Sequence, residues 1–129
     1  MMSRPVQTRN APVAIGPYSQ GMITGHLFFS AGQIPLNPET GKLVAGNFTD
    51  RVRQVLDNLD AVCQSAGTTL HRVVKFTVFL TDLSNFAAVN DVFSEVLHKP
   101  YPARSAVQVA ALPLGTDIEI ECIAELPRE

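Results

Sequence analysis

The sequence predicts an α+β fold in which two helices pack on one face of a mixed β-sheet. Two observations carry this prediction. Short apolar runs bounded by turn residues lie near both ends of the chain, and two segments between them repeat apolar residues at helical spacing. The predicted order is strand, strand, short strand, helix, strand, helix, strand, strand. Strands joined through a helix can lie parallel, whereas a tight hairpin is antiparallel, so the sheet is expected to be mixed.

The sheet is predicted to open with a hairpin. Residues 18–24 and 27–31 are short apolar runs separated by Gly25 and His26. A glycine at the first central position suits a type II′ turn, which joins antiparallel strands tightly. Residues 33–42 have the prolines, asparagine and glycine of a loop, and residues 42–45 are a candidate for one more brief strand.

The first predicted helix follows the change of period at Asn47. Apolar residues recur at steps of three and one from Val52 to Ala66, which places them along one stripe. Asn47 and Thr49 are both candidates for the N-cap, and Gly67 is expected to end the helix.

A central strand and a second helix are predicted next. Residues 72–80 are rich in Val, Phe and Thr, as strands are, and residues 84–98 repeat apolar residues at helical spacing. Asp82 or Ser84 is expected to cap this helix, and Pro100 and Pro102 prevent its continuation. The strand's predicted apolar face consists of Val74, Phe76, Val78 and Leu80. Residues 103–109 and 116–124 are the last two predicted strands.

Two helices can cover only one face of this sheet. Apolar residues nevertheless fall on both faces of the strands, for example at Phe28 and Phe29 and at Val107 and Val109. Because a large exposed apolar patch usually marks an interface, we expect the uncovered face to meet another subunit.

Composition limits the classes of function. The chain has 129 residues, a mass of 14.0 kDa and a net charge of −2. We expect one domain over residues 1–129, because this length suits a single core. No apolar run approaches the ~18 residues of a membrane span, and the first residues lack a signal-peptide core, so we expect a cytoplasmic protein without a membrane partner. The ten Lys and Arg residues are scattered, which argues against nucleic acid as a partner.

Cysteine and histidine give no sign of a metal site or a disulfide. Cys63 and Cys122 lack Cys-x-x-Cys spacing and are expected to be buried apolar residues. The three histidines lie far apart in the sequence, and we expect them on the surface with no bound metal. The sequence also has no Ser/His/Asp order, no phosphate loop and no cofactor fingerprint.

Arg104 is the most informative residue, because it is the one formal charge between Lys99 and Asp117. A guanidinium in apolar surroundings requires a partner, and its planar donor fork fits a carboxylate. One alternative is a structural ion pair with a carboxylate of the last strand. The other is the carboxylate of a ligand. The structural candidates are Asp117, Glu119 and Glu121.

Two further segments are candidates for a site. Gly16 and Pro17 set a turn that presents Tyr18, Ser19 and Gln20, and residues 30–35 form a small-residue strand end that a ligand could approach closely. Each segment taken alone is equally compatible with ordinary turn chemistry or tight packing. Glu119 alone is typical of a solvent-exposed or interface strand residue.

Together these segments resemble the Rid family (RidA/YjgF) of 2-iminobutanoate/2-iminopropanoate deaminases over residues 10–125. Five ordered motifs carry the resemblance: Ala-Ile-Gly-Pro-Tyr-Ser-Gln at 14–20, Ser-Ala-Gly-Gln-Ile-Pro at 30–35, Phe86-x-x-x-Asn90-x-x-Phe93, Pro-Ala-Arg-Ser at 102–105, and Ile-Glu-Ile-Glu-x-Ile-Ala at 118–124. The resemblance implies a chorismate-mutase-like subunit and a homotrimer with clefts between subunits. It further implies hydrolysis of the enamines and imines released by pyridoxal-phosphate-dependent dehydratases, without a cofactor in the protein itself.

The resemblance also implies roles for individual residues. Arg104 would bind the substrate carboxylate, Glu119 would position or activate the hydrolytic water, and Tyr18 would line the cleft with its hydroxyl group. Ser30, Gly32 and Asn90 match positions around or supporting the cleft. Family members of the deaminase type commonly have Arg-Ser-Cys where this chain has Arg104, Ser105 and Ala106. The backbone groups of Ala106 could still contact substrate, whereas a thiol is lost.

Two other functions remain open at the level of the sequence. The same Arg104 cleft could bind a 2-oxo acid as a regulatory module without turnover. The family has also been described as ribonucleases or translation inhibitors, but the net negative charge and the absence of a basic stripe argue against an RNA substrate.

Overall fold

The protein is described by a computed structural model that covers residues 2–128 and contains one six-stranded sheet with two α-helices. The strands are β1 (Arg4–Val6), β2 (Gly21–Thr24), β3 (Leu27–Ser30), β4 (Val73–Leu80), β5 (Ala103–Gln108) and β6 (Ile118–Glu125). The helices are α1 (Phe48–Ala66) and α2 (Phe86–Val96). Short 3₁₀ turns lie at Leu70–Arg72, Leu83–Asn85 and Pro113–Gly115.

The sheet is mixed, as predicted. Its strand order is β1-β2-β3-β6-β4-β5, in which β4 and β5 are parallel and every other pair is antiparallel. The two helices pack against each other, and their apolar residues share one core with the buried face of the sheet. The predicted α+β architecture with two helices on one face is therefore confirmed.

The opening hairpin forms where it was expected, since Thr24 pairs with Leu27 and Gly25 has a φ of 58° that favours glycine. Two details differ from the prediction. Strand β1 was not predicted, because three residues that include a proline are too few to show alternation. Residues 42–45 do not form a strand. They make one bridge, between Leu36 and Leu43, which closes a loop instead of extending the sheet.

Helix α1 begins and ends as its sequence predicts. The Asn47 side chain accepts a hydrogen bond from Asp50 N, and the Asp50 side chain accepts one from Asn47 N, so Asn47 is the N-cap. Thr49 instead donates its hydroxyl to Asn47. Gly67 ends the helix in the left-handed conformation, with a φ of 93°.

Strand β4 and helix α2 differ from the predicted pattern at their first residues. Phe76, Val78 and Leu80 are fully buried, but Val74 is 39% exposed because the strand register shifts between Val73 and Lys75. Helix α2 is shorter than predicted. A 3₁₀ turn capped by Asp82 replaces its expected first turn, and the chain becomes extended at Leu97.

The two faces of the sheet differ in their surroundings. Along β6, Ile118 and Ile120 are fully buried beneath the helices, whereas Glu119 and Glu121 alternate with them and lie on the other face. Within the single chain that other face carries partly exposed apolar residues, among them Phe29 and Val107. The expected subunit contact on this face stays a prediction.

Candidate active site

Arg104 lies on the helix-covered face at the edge of the sheet. It pairs with Phe76 in the register between β4 and the edge strand β5. Its guanidinium carbon is 4.9 Å from the centroid of the Phe86 ring and 5.4 Å from that of Phe93. Aromatic faces attract a guanidinium without occupying its in-plane donors, so α2 supports the cation and leaves the donor fork free.

The structure does not provide Arg104 with a carboxylate partner. Asp117 is already bound to Arg51 by two hydrogen bonds of 3.0 and 2.7 Å. Glu119 and Glu121 lie on the opposite face of the sheet, so neither faces Arg104. Among residues 2–128, Arg104 has neither an ion pair nor a side-chain hydrogen bond. None of the three predicted carboxylates therefore pairs with Arg104 within the chain, and this geometry favours the alternative of a ligand carboxylate.

A cavity of about 350 Å³ lies beside the Arg104 side chain. Asn90 of α2 lines it together with Arg104, as do the rings of Phe76 and Phe93. Burial in this setting lowers the pKa of the Arg104 guanidinium, but an arginine side chain is not deprotonated in proteins. The cavity therefore joins a permanent cation to a largely apolar wall.

A second cavity, of about 460 Å³, contains Tyr18, Gly32 and Glu119. Gly32 follows β3 and is held beside β6 by paired backbone hydrogen bonds of 2.8 and 3.0 Å between Gln33 and Ile120. A Cβ atom at Gly32 would overlap the Glu119 carboxylate, so only glycine permits this close approach. Burial raises the pKa of Glu119, and the nearby charge of Glu121 raises it further. Glu119 is thereby suited to exchange a proton closer to neutral pH.

A buried glutamine two residues after Tyr18, Gln20, has a role that the sequence did not show. The Gln20 side-chain amide donates to the carbonyls of Thr8, Ala11 and Pro12, and its oxygen accepts a hydrogen bond from Thr8 N. These bonds fix the N-terminal segment against the start of β2. Tyr18 itself is 51% exposed at the cavity. A single buried Gln in a polar motif gives no sequence signal for this anchoring.

Two other predicted residues take clear positions. The Ser30 hydroxyl accepts a hydrogen bond from Cys122 N at 2.8 Å, so it links β3 to β6 and lines neither of the two cavities. Ser30 therefore lies where it can support the cleft without lining it. Ala106 lies on β5 opposite Val78, on the same face as Arg104 and two residues further along the strand.

Within one chain, the predicted site residues therefore form two groups. Arg104, Ala106 and Asn90 lie on the helix-covered side at the β5 edge, with Arg104 and Asn90 lining the first cavity. Tyr18, Gly32 and Glu119 lie around the second cavity, and the Glu119 side chain leaves from the other face of the sheet. The single chain does not bring the two groups together.

Leu114 is a further residue of the second cavity that the sequence analysis missed. It adopts a φ of 57°, which is unusual for a residue with a side chain, and it is largely exposed. The adjacent Gly115 has a φ of 71°. A Leu before a Gly in a loop has no pattern that predicts such strain.

Residues 2–128 contain no group of three or more His, Cys, Asp or Glu side chains that could hold a metal ion. His71 and His98, far apart in the sequence, stack with ring centroids 4.2 Å apart, and both are exposed. No helix in this part of the chain has the length and apolar character to cross a membrane.

These features define the class of protein: an α+β domain whose free guanidinium and half-buried carboxyl group lie at cavities of small-molecule size. The family model described as Endoribonuclease L-PSP matches residues 8–126, and the chain belongs to this family, also called YjgF/RidA. The resemblance to the Rid family is confirmed.

Similar proteins share the sequence over nearly the whole chain. A RutC family protein of Pyrococcus horikoshii is 47% identical over 123 residues, which are 95% of this chain and 98% of that protein. The 2-iminobutanoate/2-iminopropanoate deaminase of Escherichia coli K12 is 46% identical over 126 residues, with 95% and 98% coverage. The crystal structure of RidA from an Antarctic Psychrobacter matches with a TM-score of 0.92 and 49% identity over 95% of this chain and 99% of that one.

Proposed function

We propose that this protein is a deaminase that hydrolyses reactive 2-imino acids and their enamine forms, such as 2-iminobutanoate and 2-aminoacrylate, to 2-oxo acids and ammonia. The observation that carries the proposal is Arg104, a half-buried guanidinium whose donor fork no residue among 2–128 occupies. A planar carboxylate is the ligand that such a fork fits best. The name and the 46% identity of the Escherichia coli deaminase support the same substrate class.

The proposed chemistry needs only the groups that the chain supplies. The substrate carboxylate binds Arg104, and Glu119 accepts a proton from the attacking water as its oxygen adds to the imine carbon. Glu119 passes this proton to the nitrogen of the tetrahedral adduct. It then takes the proton of the new hydroxyl group and delivers it to the nitrogen as the C–N bond breaks, so that ammonia leaves a 2-oxo acid behind. Orientation and one proton-transfer group are sufficient to lower this modest barrier, and the Tyr18 hydroxyl provides a further polar contact. The reaction assigns no step to a cofactor.

We propose that the complete site forms between subunits of a homotrimer. The β5 edge of one subunit, with Arg104 and Ala106 on β5 and Asn90 on the adjacent α2, would lie against the open sheet face of the next subunit. Tyr18, Gly32 and Glu119 of that second subunit would complete the site. Two observations support this: the two groups lie on different sides of one sheet, and that open face is apolar yet uncovered within the chain. Light scattering at assay concentrations should give three times the chain mass, and an active monomer would overturn the assembly.

Co-expression of two inactive variants tests the shared site directly. An Arg104→Ala subunit still carries Glu119, and a Glu119→Gln subunit still carries Arg104. In randomly mixed trimers about a quarter of the interfaces would combine both intact residues, so activity should return to about a quarter of the wild-type value. Mixed trimers without recovered activity would show that both residues act within one chain.

The remaining expectations form part of the same proposal. We propose a cytoplasmic enzyme with a small-molecule substrate, without a nucleic-acid or membrane partner. The shared hydrophobic core supports one domain over residues 1–129. The scattered positive charges argue against RNA as a substrate in spite of the family description.

The decisive assay couples the protein to a dehydratase that releases 2-aminoacrylate or 2-aminocrotonate. We expect ammonia and the 2-oxo acid to form faster than in the dehydratase reaction alone. Binding of a 2-oxo acid without accelerated ammonia release would instead indicate a non-catalytic binding or regulatory protein. Metal-free, highly purified protein that cleaves RNA would favour the ribonuclease alternative.

A further inference from the structure

The cavity beside Arg104 is larger than a short imino acid requires. Its volume of about 350 Å³ corresponds to that of roughly twelve water molecules in the liquid. A substrate as short as 2-iminobutanoate would fill only about half of such a space. The remaining volume can therefore accommodate a substrate with a larger side chain.

The chemistry of the wall divides this cavity into two ends. Arg104 and Asn90 form a polar end, where a carboxylate and its neighbouring nitrogen can be bound. The apolar end consists of Leu97, Tyr101 and Pro102, which follow Phe93 in the chain, whereas the Phe93 ring itself lies against the Arg104 guanidinium. Leu97 is buried at the end of α2, whereas Tyr101 is half exposed at the opening. A molecule with a carboxylate at one end and a bulky apolar group at the other matches both ends.

We infer that the apolar end binds the substrate side chain and selects 2-imino acids with a large apolar side chain, branched aliphatic or benzyl, over those with a methyl or ethyl group. This inference rests on the proposed deaminase function and specifies its substrate. Tyr101 and Leu97 are the residues that set the preference. The aromatic ring of Tyr101 offers a wide, rigid surface at little entropic cost.

The expected preference follows from burial of apolar surface. Each additional buried methylene distinguishes two substrates by roughly 10–200-fold in an apolar pocket. Leu97, Tyr101 and Pro102 offer apolar surface to the cavity, so a substrate side chain that covers this surface gains stabilisation. A short side chain leaves that surface uncovered.

The test compares kcat/KM for imines made in situ by an L-amino acid oxidase, with catalase present, from phenylalanine, leucine and 2-aminobutyrate. We expect the wild type to favour the phenylalanine and leucine imines. Tyr101→Ala removes part of the wall, and Ser94→Leu, at an exposed lining position of α2, places a side chain into the cavity. Each variant should lower the ratio of large to small imine by at least about tenfold.

Asp91→Leu is the matched control, because Asp91 is exposed on the same helix and does not line the cavity. It should leave the ratio unchanged. Calorimetry with phenylpyruvate and 2-oxobutanoate provides a readout that does not need turnover, and we expect tighter binding of phenylpyruvate that is lost in Ser94→Leu.

The outcomes separate the two proposals. A wild type that hydrolyses only the 2-aminobutyrate imine overturns the side-chain inference and leaves the deaminase function intact. Ratios that stay constant in both Tyr101→Ala and Ser94→Leu overturn it as well. Selective binding of phenylpyruvate without hydrolysis of any imine would contradict the deaminase function and support the assignment of the cavity.

Discussion

Two arginines of this protein have the same donor fork and opposite surroundings. Arg51 on α1 binds Asp117 through Nε at 3.0 Å and Nη2 at 2.7 Å, and its Nη1 donates to the Gly46 carbonyl at 2.8 Å. Arg104 on β5 rests on two aromatic rings and donates to no side chain among residues 2–128. The chain itself supplies a carboxylate partner to Arg51 and leaves the donors of Arg104 free for a ligand.

Their electrostatics differ in the same way. Hydrogen bonds that Arg51 donates to Asp117 raise the pKa of Arg51, whereas burial lowers the pKa of Arg104. A cation that loses hydration without gaining an anion is destabilised, and a bound carboxylate would reverse that cost. The comparison therefore separates an arginine that stabilises the fold from one that is ready for a ligand.

Loss of the free fork should have the largest effect on activity. We expect Arg104→Ala to keep its fold and its assembly while kcat/KM for imine hydrolysis falls at least about a thousandfold, or ~4 kcal/mol, because binding and orientation both depend on the guanidinium. Arg104→Lys should also lose most activity, since a point charge does not replace a planar fork. Kinetics together with circular dichroism check this. An unfolded Arg104→Ala protein would return the residue to a structural role.

Substitution of Glu119 tests its proposed role as the group that accepts a proton from the attacking water. Glu119→Gln should lower kcat at least about 100-fold, because the amide does not accept the proton of the attacking water.

Because its pKa is raised in the folded state, the Glu119 carboxyl stabilises the protein below its unfolded-state pKa. That contribution is lost as the pH rises through the folded pKa. The difference in melting temperature, Glu119→Gln minus wild type, should therefore be slightly more positive at pH 8 than at pH 4. A difference that is smaller at pH 8 than at pH 4 would contradict the assigned direction of the pKa shift.

Arg51 should show the converse behaviour. Arg51→Ala leaves the partly buried Asp117 without its partner, and we expect a loss of about 1–3 kcal/mol in the free energy of unfolding, measured with urea. The specific activity of the folded protein should remain. Arg53→Ala is the control, because Arg53 pairs with Glu95 at a solvent-exposed site and its loss should destabilise the protein clearly less. Equal losses of unfolding free energy in Arg51→Ala and Arg53→Ala would show that the Arg51–Asp117 pair does not stabilise the fold more than an exposed ion pair does.

Ala106 should give the smallest effect. It lies on the same face as Arg104, but its proposed contacts with substrate use backbone groups that do not depend on the side chain. We expect Ala106→Cys to change kcat/KM less than about fivefold, or ~1 kcal/mol. A gain of about a hundredfold would show instead that a thiol takes part in the reaction.

Much of the fold was predictable because its signals are local. The stripe from Val52 to Ala66 with Asn47 and Gly67 at its ends predicted α1, and Gly25 predicted the hairpin. The errors lie where a local pattern was too short or was broken. Strand β1 has three residues, residues 42–45 make a single bridge, and the shifted register near Val74 reverses the face expected for that side chain.

The sequence by itself determined that Arg104 is an isolated cation in a neutral segment and that Tyr18, Gly32 and Glu119 lie in motifs that resemble one family. Only the tertiary structure decided which carboxylate belongs to which arginine. Charge spacing left Asp117, Glu119 and Glu121 as equal candidates. The alternation of β6 directs the two glutamates to the far face, and the position of α1 brings Arg51 to Asp117. Ion pairing depends on distance in space, and distant segments of the chain set that distance only when the sheet and the helices pack together.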